Sequence, residues 1–222
     1  FSFNVSYNVA TLDNEVLAVN NENGFIEAGS FGVGQPNITR MQEGFTIGYF
    51  YGFETDGVFQ NAAEVAAHPS QFSLAGVNAQ PGDFRYKDLN GDGVVDLDDR
   101  TDLGNALPDF TMGMNLSFNY KNWDVQTYLF ASIGNEMVRN YERNQPLTNL
   151  TTNALGRWTG EGSTNSMPRV TTGATANQVF SDFFVEDASF LRAQNMQIGY
   201  TLNDTALDNL KLSKLRVYAS VN

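Results

Sequence analysis

The chain has 222 residues, no cysteine and a formal net charge of −12, with aromatic side chains at 13%. Charged residues make up only 17% of it, against roughly 25% in an ordinary soluble domain. This balance argues against nucleic acid, which is held by clustered Lys and Arg, and the lack of a polybasic segment argues against recognition of anionic lipid. Thiol chemistry is excluded, and no apolar run suffices for a transmembrane helix, a test that membrane β-strands evade by alternation.

Residues 1–9 alternate strictly, with Phe1, Phe3, Val5, Tyr7 and Val9 on one side and Ser2, Asn4, Ser6 and Asn8 on the other. That period of two predicts a strand, and its polar side carries none of the charges that a water-facing strand usually has. Residues 15–33 suggest a hairpin. The stretch 44–53 puts Phe45, Ile47, Tyr49, Tyr51 and Phe53 in register and reads as a further strand. Next comes "NAAEVAAHPS" (61–70), an Ala-rich helix closed by Pro69.

The acidic stretch "KDLNGDGVVDLDDR" (87–100) follows. Asp88, Asn90 and Asp92 stand two apart, Gly93 comes next, and Asp99 takes the twelfth place, in the pattern of a calcium loop. Val94 would offer its carbonyl oxygen, Val95 would pack inward, and Asp96 stands where a ligand often acts through water. Asp99 replaces the usual Glu, which weakens bidentate closure. The competing reading is an Asx-rich turn without an ion. Either way the expected role is to stiffen a loop.

Residues 110–120 alternate again, with Phe110, Met112, Met114, Leu116, Phe118 and Tyr120 opposite Thr111, Gly113, Asn115, Ser117 and Asn119. A short turn leads to 123–133, where Trp123, Val125, Leu129, Ala131 and Ile133 share a side that Tyr128 and Phe130 oppose. Residues 190–202 align Met196, Ile198, Tyr200 and Leu202, and residues 215–221 align Leu215, Val217, Ala219 and Val221. Strands of this length can cross a bilayer when tilted. The intervening stretches 54–109 and 134–182 read as long loops on one side of a sheet of six to eight strands.

Other chemistry is thinly supported. His68 is the only histidine and reads as a surface residue. Glu54, Asp56, Glu136, Asp182, Glu186 and Asp187 could supply a glycosidase pair, but nothing in their spacing pairs them. Tyr49, Tyr51, Trp123 and Trp158 could stack on sugars, although Trp123 beside a short turn suits an interfacial belt.

Five blocks, "GYFYGFETDGVF" (48–59), "PGDFRYKDLNGDGVVDLDDR" (81–100), "GNALPDFTMGMNLSFNYKNWDV" (104–125), "RWTGEGSTNSMPRV" (157–170) and "SDFFVEDASFLRAQNMQIGYTL" (181–202), occur in that sequence. Together they resemble the C-terminal part of the SusC/RagA family of TonB-dependent outer-membrane transporters. Ala188, Ala193 and Gln194 depart from the family's usual residues. The resemblance implies an all-β fold, antiparallel, part of a transmembrane barrel of about 22 strands with long extracellular loops. Residues 1–222 would then be a segment of a longer polypeptide, with plug domain, TonB box and last strands outside it. It further implies a Gram-negative outer membrane location, contact with membrane lipid, and no enzymatic activity. The implied work is import of oligosaccharides or peptides with TonB and a SusD-like lipoprotein lid. The rival readings are a secreted glycan-binding β-sandwich with a calcium-braced loop, and a glycan-cleaving enzyme.

Overall fold

The computed structural model describes residues 1–32, 36–140, 151–203, 207–208 and 211–222. The first strands are β1 (Ser2–Thr11), β2 (Phe25–Ala28), β3 (Thr39–Gln42), β4 (Tyr49–Gly52) and β5 (Thr55–Val58). Two short helices, α1 (Ala62–Ala67) and α2 (Phe72–Ala75), precede β6 (Phe84–Tyr86) and β7 (Thr101–Asp102). Then come β8 (Phe110–Tyr120), β9 (Trp123–Ile133), β10 (Glu136–Val138), β11 (Val185–Asp187), β12 (Phe190–Thr201) and β13 (Arg216–Val221). These elements fall into two compact units, one of residues 1–13, 107–135 and 187–222, the other of residues 14–106 and 136–186.

The first unit is a five-stranded antiparallel sheet ordered β1-β8-β9-β12-β13. Its register sorts side chains by chemistry. Phe3, Phe118, Val125, Ile198 and Ala219 stand abreast across all five strands. One residue along, and therefore on the opposite face, Asn4, Ser117, Gln126, Gln197 and Ser220 form an uncharged polar row. Tyr7, Met114, Leu129 and Ala193 repeat the apolar pattern.

Strand β12 needs a correction of phase to keep this sorting. Leu191 and Ala193 lie on the apolar face at odd positions, whereas Met196, Ile198 and Tyr200 are even. The pairing with β9 shifts between Gln194 and Gln197, so Asn195 and Met196 together oppose Thr127. Asn195 takes a left-handed φ of 52°, which Asn tolerates better than most residues. This bulge reconciles the two halves of the strand.

Five strands, rather than six to eight, make up the long sheet. Residues 44–53 are not one of them. Only Tyr49–Gly52 is strand, and it belongs to the second unit in a four-stranded sheet ordered β2-β3-β4-β7. Gly44 and Gly48, with φ of 83° and 67°, interrupt the stretch that alternation alone presents as continuous. The expected hairpin in 15–33 forms instead between β2 and β3.

The stretches expected to be long loops carry a core of their own. Phe53, Val58, Phe84, Tyr86, Val95, Ala176 and Val179 make one buried cluster. Phe31, Ile38, Phe50, Phe180 and Phe184 make a second. Both clusters join residues more than a hundred positions apart, which no local periodicity reveals. The α1 helix appears where expected, capped by Asn61, whose side chain accepts the Glu64 N–H, while Glu64 accepts the Gln60 N–H. The chain passes between β1 and β8, and between β9 and β12, at the same end of the five-stranded sheet, as expected; Lys121 and Asn122 turn at the other end.

Candidate functional site: a two-faced sheet and an acidic loop

The five-stranded sheet presents an apolar face. Phe3 and Val5 are exposed at 60% and 43%. Met112, Leu116 and Leu129 are half-buried by their neighbours on the same face, and none of these five joins either core cluster. Adjacent bulky side chains on this face cover one another in part. A β-sandwich would bury them between sheets.

Strands of eleven residues rise about 25 Å along a membrane normal when tilted by about 45°, the height of the apolar band in a membrane barrel. At the turn end of this face Tyr120 pairs with Trp123, and Trp123 lies 4.8 Å from Tyr200 between ring centres. Aromatics at a strand end suit a membrane–water interface. No helix among the described residues is long and apolar enough to span a membrane, which leaves crossing by strands untouched.

The opposite face carries mainly amides and hydroxyls, with Phe130 and Phe190 beside Arg192, their ring centres 5.8 Å apart. Its charges are Arg192 near one end and, near the other, Asp124, whose Oδ1 accepts from Arg216 Nε at 2.9 Å. That pair crosses strand β12 over Gly199, where a Cβ would come within 2.5 Å of Arg216 Nη2. Glycine here makes room for the ion pair.

The acidic loop is built by Asx turns. Asp88 accepts the Gly91 N–H through Oδ1 at 2.6 Å and the Gly93 N–H through Oδ2 at 2.9 Å. Asn90 Oδ1 accepts the Asp92 N–H, and Asp92 Oδ1 accepts the Val94 N–H, each at 2.9 Å. Asp99 is fully buried and accepts N–H groups of Leu89, Asn90 and Asp96 at 2.8, 3.2 and 2.9 Å. Val95 is buried as expected, and its N–H donates to Ser70. Asp96 caps the turn Leu97–Asp99.

Among the described residues, no three Asp, Glu, His or Cys side chains gather as a metal cluster. The donor set is nonetheless of the right chemistry, because a carboxylate oxygen that takes one N–H keeps a further acceptor site. Asp99 is the least available member, with three donors already on it.

Each of the carboxylates considered for hydrolysis is engaged elsewhere. Glu54 pairs with Lys87 at 2.6 Å, Asp56 with Arg85 at 3.0 Å and Glu186 with Arg139 at 2.9 Å. The Glu54 carboxylate, accepting from the ammonium, pushes the Lys87 pKa up. Asp182 accepts from the Thr55 N–H and hydroxyl, Glu136 from the Asn105 N–H, and Asp187 from the Ser189 N–H. His68 is half-buried, its Nδ1 2.9 Å from the Pro69 carbonyl and its ring edge-on to Phe59.

Two clusters escaped the sequence reading. Buried Asp83 accepts from Arg169 Nε at 2.7 Å, Thr175 at 3.1 Å and Asn177 at 3.0 Å, tying 80–86 to 169–177. Glu27 bridges Arg40 and Arg100, whose guanidinium groups lie 3.5 and 4.6 Å from the Tyr51 ring centre. Neither has a signal in local spacing.

No protein-family model matches the chain. It is 29% identical to TonB-dependent receptor P3 of Formosa agariphila over 99% of its own length and 22% of that protein's. It is 25% identical to TonB-dependent receptor SusC of Bacteroides thetaiotaomicron, over 100% of this chain and 21% of SusC. Among solved structures, the RagAB peptide transporter superimposes with a TM-score of 0.68 at 18% identity, over 99% of this chain and 24% of that one. The chain therefore spans about a quarter or less of the length of these relatives. The resemblance drawn from the five sequence blocks is borne out, and so is the all-β, antiparallel fold class.

Proposed function

We propose that this chain, a homologue of SusC-type TonB-dependent receptors, is part of the barrel wall of an outer-membrane importer in a Gram-negative bacterium. The observation that carries the reading is the five-stranded sheet with one bulky apolar face and one largely polar face whose few charges lie near its ends. Lipid would meet Phe3, Val5, Met112, Leu116 and Leu129, while the amide wall faces the hydrated interior. The cargo is an oligosaccharide or a peptide. A SusD-like lipoprotein would lid the mouth of the whole receptor, and TonB would act through its plug region. No residue performs bond chemistry; the relatives are named receptors and a transporter.

The test is deletion of the gene for the full-length protein in its native host, followed by uptake measurements with labelled oligosaccharides and peptides. Loss of uptake of one class, restored by complementation, is expected. Recovery of the full-length protein in the soluble fraction would defeat the reading.

Calcium in the acidic loop is a second proposal. Asp88, Asn90, Asp92, the Val94 carbonyl and Asp99 would hold it, and its chemistry there is to brace the loop. The Asx ladder on alternate residues supports it. Calorimetry on the full-length protein should give calcium heats that Asp88→Ala abolishes; equal heats would end the idea.

A further inference from the structure

The sequence holds two Asn-Gly pairs, Asn23–Gly24 and Asn90–Gly91, and the structure treats them oppositely. Asn-Gly is the dipeptide most open to deamidation, since glycine leaves the following nitrogen unshielded. That nitrogen attacks the Asn side-chain carbonyl, ammonia leaves, and water opens the resulting succinimide to aspartate or isoaspartate. The reaction consumes one water, releases one ammonia and needs no other reagent. It requires the glycine N–H to give up its proton and the amide to swing toward it.

Backbone conformation does not separate the two pairs, because Gly24 and Gly91 have φ of 73° and 76°. Nor does crowding, as neither glycine has an atom within 4 Å of where a Cβ would stand. Both asparagines are exposed or half-exposed. The hydrogen bonds differ.

At the second pair the Gly91 N–H donates to the Asp88 carboxylate at 2.6 Å, and a neighbouring anion opposes loss of that proton. The Asn90 amide is pinned at both ends, Oδ1 accepting from the Asp92 N–H at 2.9 Å and Nδ2 donating to Asp92 Oδ2 at 3.2 Å. At the first pair the Gly24 N–H reaches only the Asn21 carbonyl, at 3.4 Å, and no hydrogen bond to a described residue holds the Asn23 side chain. Asn23 lies in an exposed turn just before β2.

We infer that Asn23 is a site of spontaneous deamidation in the folded protein, and that Asp88 and Asp92 protect Asn90 from the same reaction. Conversion at Asn23 adds a negative charge at the entry to β2, and the isoaspartyl form inserts a methylene into the main chain there.

The two sites report on each other within one molecule. Full-length protein purified in detergent is aged at mildly alkaline pH, digested and analysed by mass spectrometry for acid at positions 23 and 90. Acid is expected at 23 with Asn90 retained; equal conversion, or faster conversion at 90, would overturn the inference. Asp88→Ala should speed conversion at 90 by about tenfold, the size of a lost hydrogen bond to a charged group, and leave 23 unchanged. Should Asp88→Ala disturb the loop as a whole, Asp92→Ala, which frees Asn90 Nδ2 and the Val94 N–H but leaves both N–H bonds to Asp88 in place, should still raise conversion at 90 above the parent. In denaturant the two sites should convert at similar rates; a persistent preference there would place the cause in local sequence and sink the claim.

Discussion

Asp83 shows how one buried charge is kept inside the second unit. Its side chain is 3% exposed and meets Arg169, Thr175 and Asn177, while Arg169 keeps 21% of its side chain in solvent. Asp83→Ala would strand those donors and should cost about 3 kcal/mol, the low end for breaking a buried pair because Arg169 can turn to water. Hydrogen exchange on the full-length protein should show lost protection in 80–86 and 169–177. Gly199 makes the complementary point by its lack of a side chain. Gly199→Val would push Arg216 off Asp124, and because both are side-chain ends that can swing aside, only a small fall in the unfolding midpoint in detergent is expected. The Lys87–Glu54 pair gives a pH effect. Its raised folded pKa means that the contribution is fully present below the ordinary lysine value and is lost as pH rises through the folded one. Thermal stability of the parent should therefore fall more steeply in strong alkali than that of Lys87→Met.

Strands β1, β8 and β9 were legible because alternation over nine to eleven residues is a local pattern that the sheet preserves unchanged. Strand β12 was legible only in its second half. Its break in phase at "AQNMQ" is visible in the sequence, yet alternation alone cannot tell a bulge from a strand end. Deleting Asn195 would remove the extra residue and leave Leu191, Ala193, Met196 and Ile198 in one unbroken alternation on the apolar face, in register with β9. The expected outcome is that folded full-length protein still reaches the outer membrane, measured by heat-modifiable migration, and that Asn195→Gly is likewise tolerated; loss of folded protein on deletion would contradict this register. The two faces predict an asymmetry. Leu129→Arg should cost about 2–4 kcal/mol at mid-membrane, while Gln126→Arg on the polar face should leave folding near the parent. The residues 44–53 misled because a four-residue strand in a small sheet can alternate just as a barrel strand does. Its glycines and short length were the discriminating signals.

Across the chain, the sequence conveys the sheet and conceals the unit strung through it. Val58, Phe84, Tyr86, Val95, Val179 and Phe180 each look like isolated apolar residues in polar loops. Most of them become a core only when 53–95 meets 176–179, while Phe180 joins Phe31, Ile38 and Phe50 in another, and neither pairing has a period to read. The acidic loop was legible in its turn chemistry, down to buried Val95 and the cap at Asp96. The complete commitment of Asp99 to backbone N–H groups was not, because it depends on how the loop closes on itself.

The central claim is the orientation of the five-stranded sheet, and it is accessible to spin labels, since this stretch has no cysteine and any cysteine elsewhere in the full-length protein can be replaced first. Single cysteines at Leu116 and Leu129, and at Ser117 and Gln126, would be labelled in the full-length protein reconstituted in bilayers. Labels at 116 and 129 should collide with oxygen and avoid a water-soluble nickel chelate; labels at 117 and 126 should not show that lipid signature. Indistinguishable behaviour at the two sets, or shielding of 116 and 129 from both reagents, would contradict a lipid-facing wall.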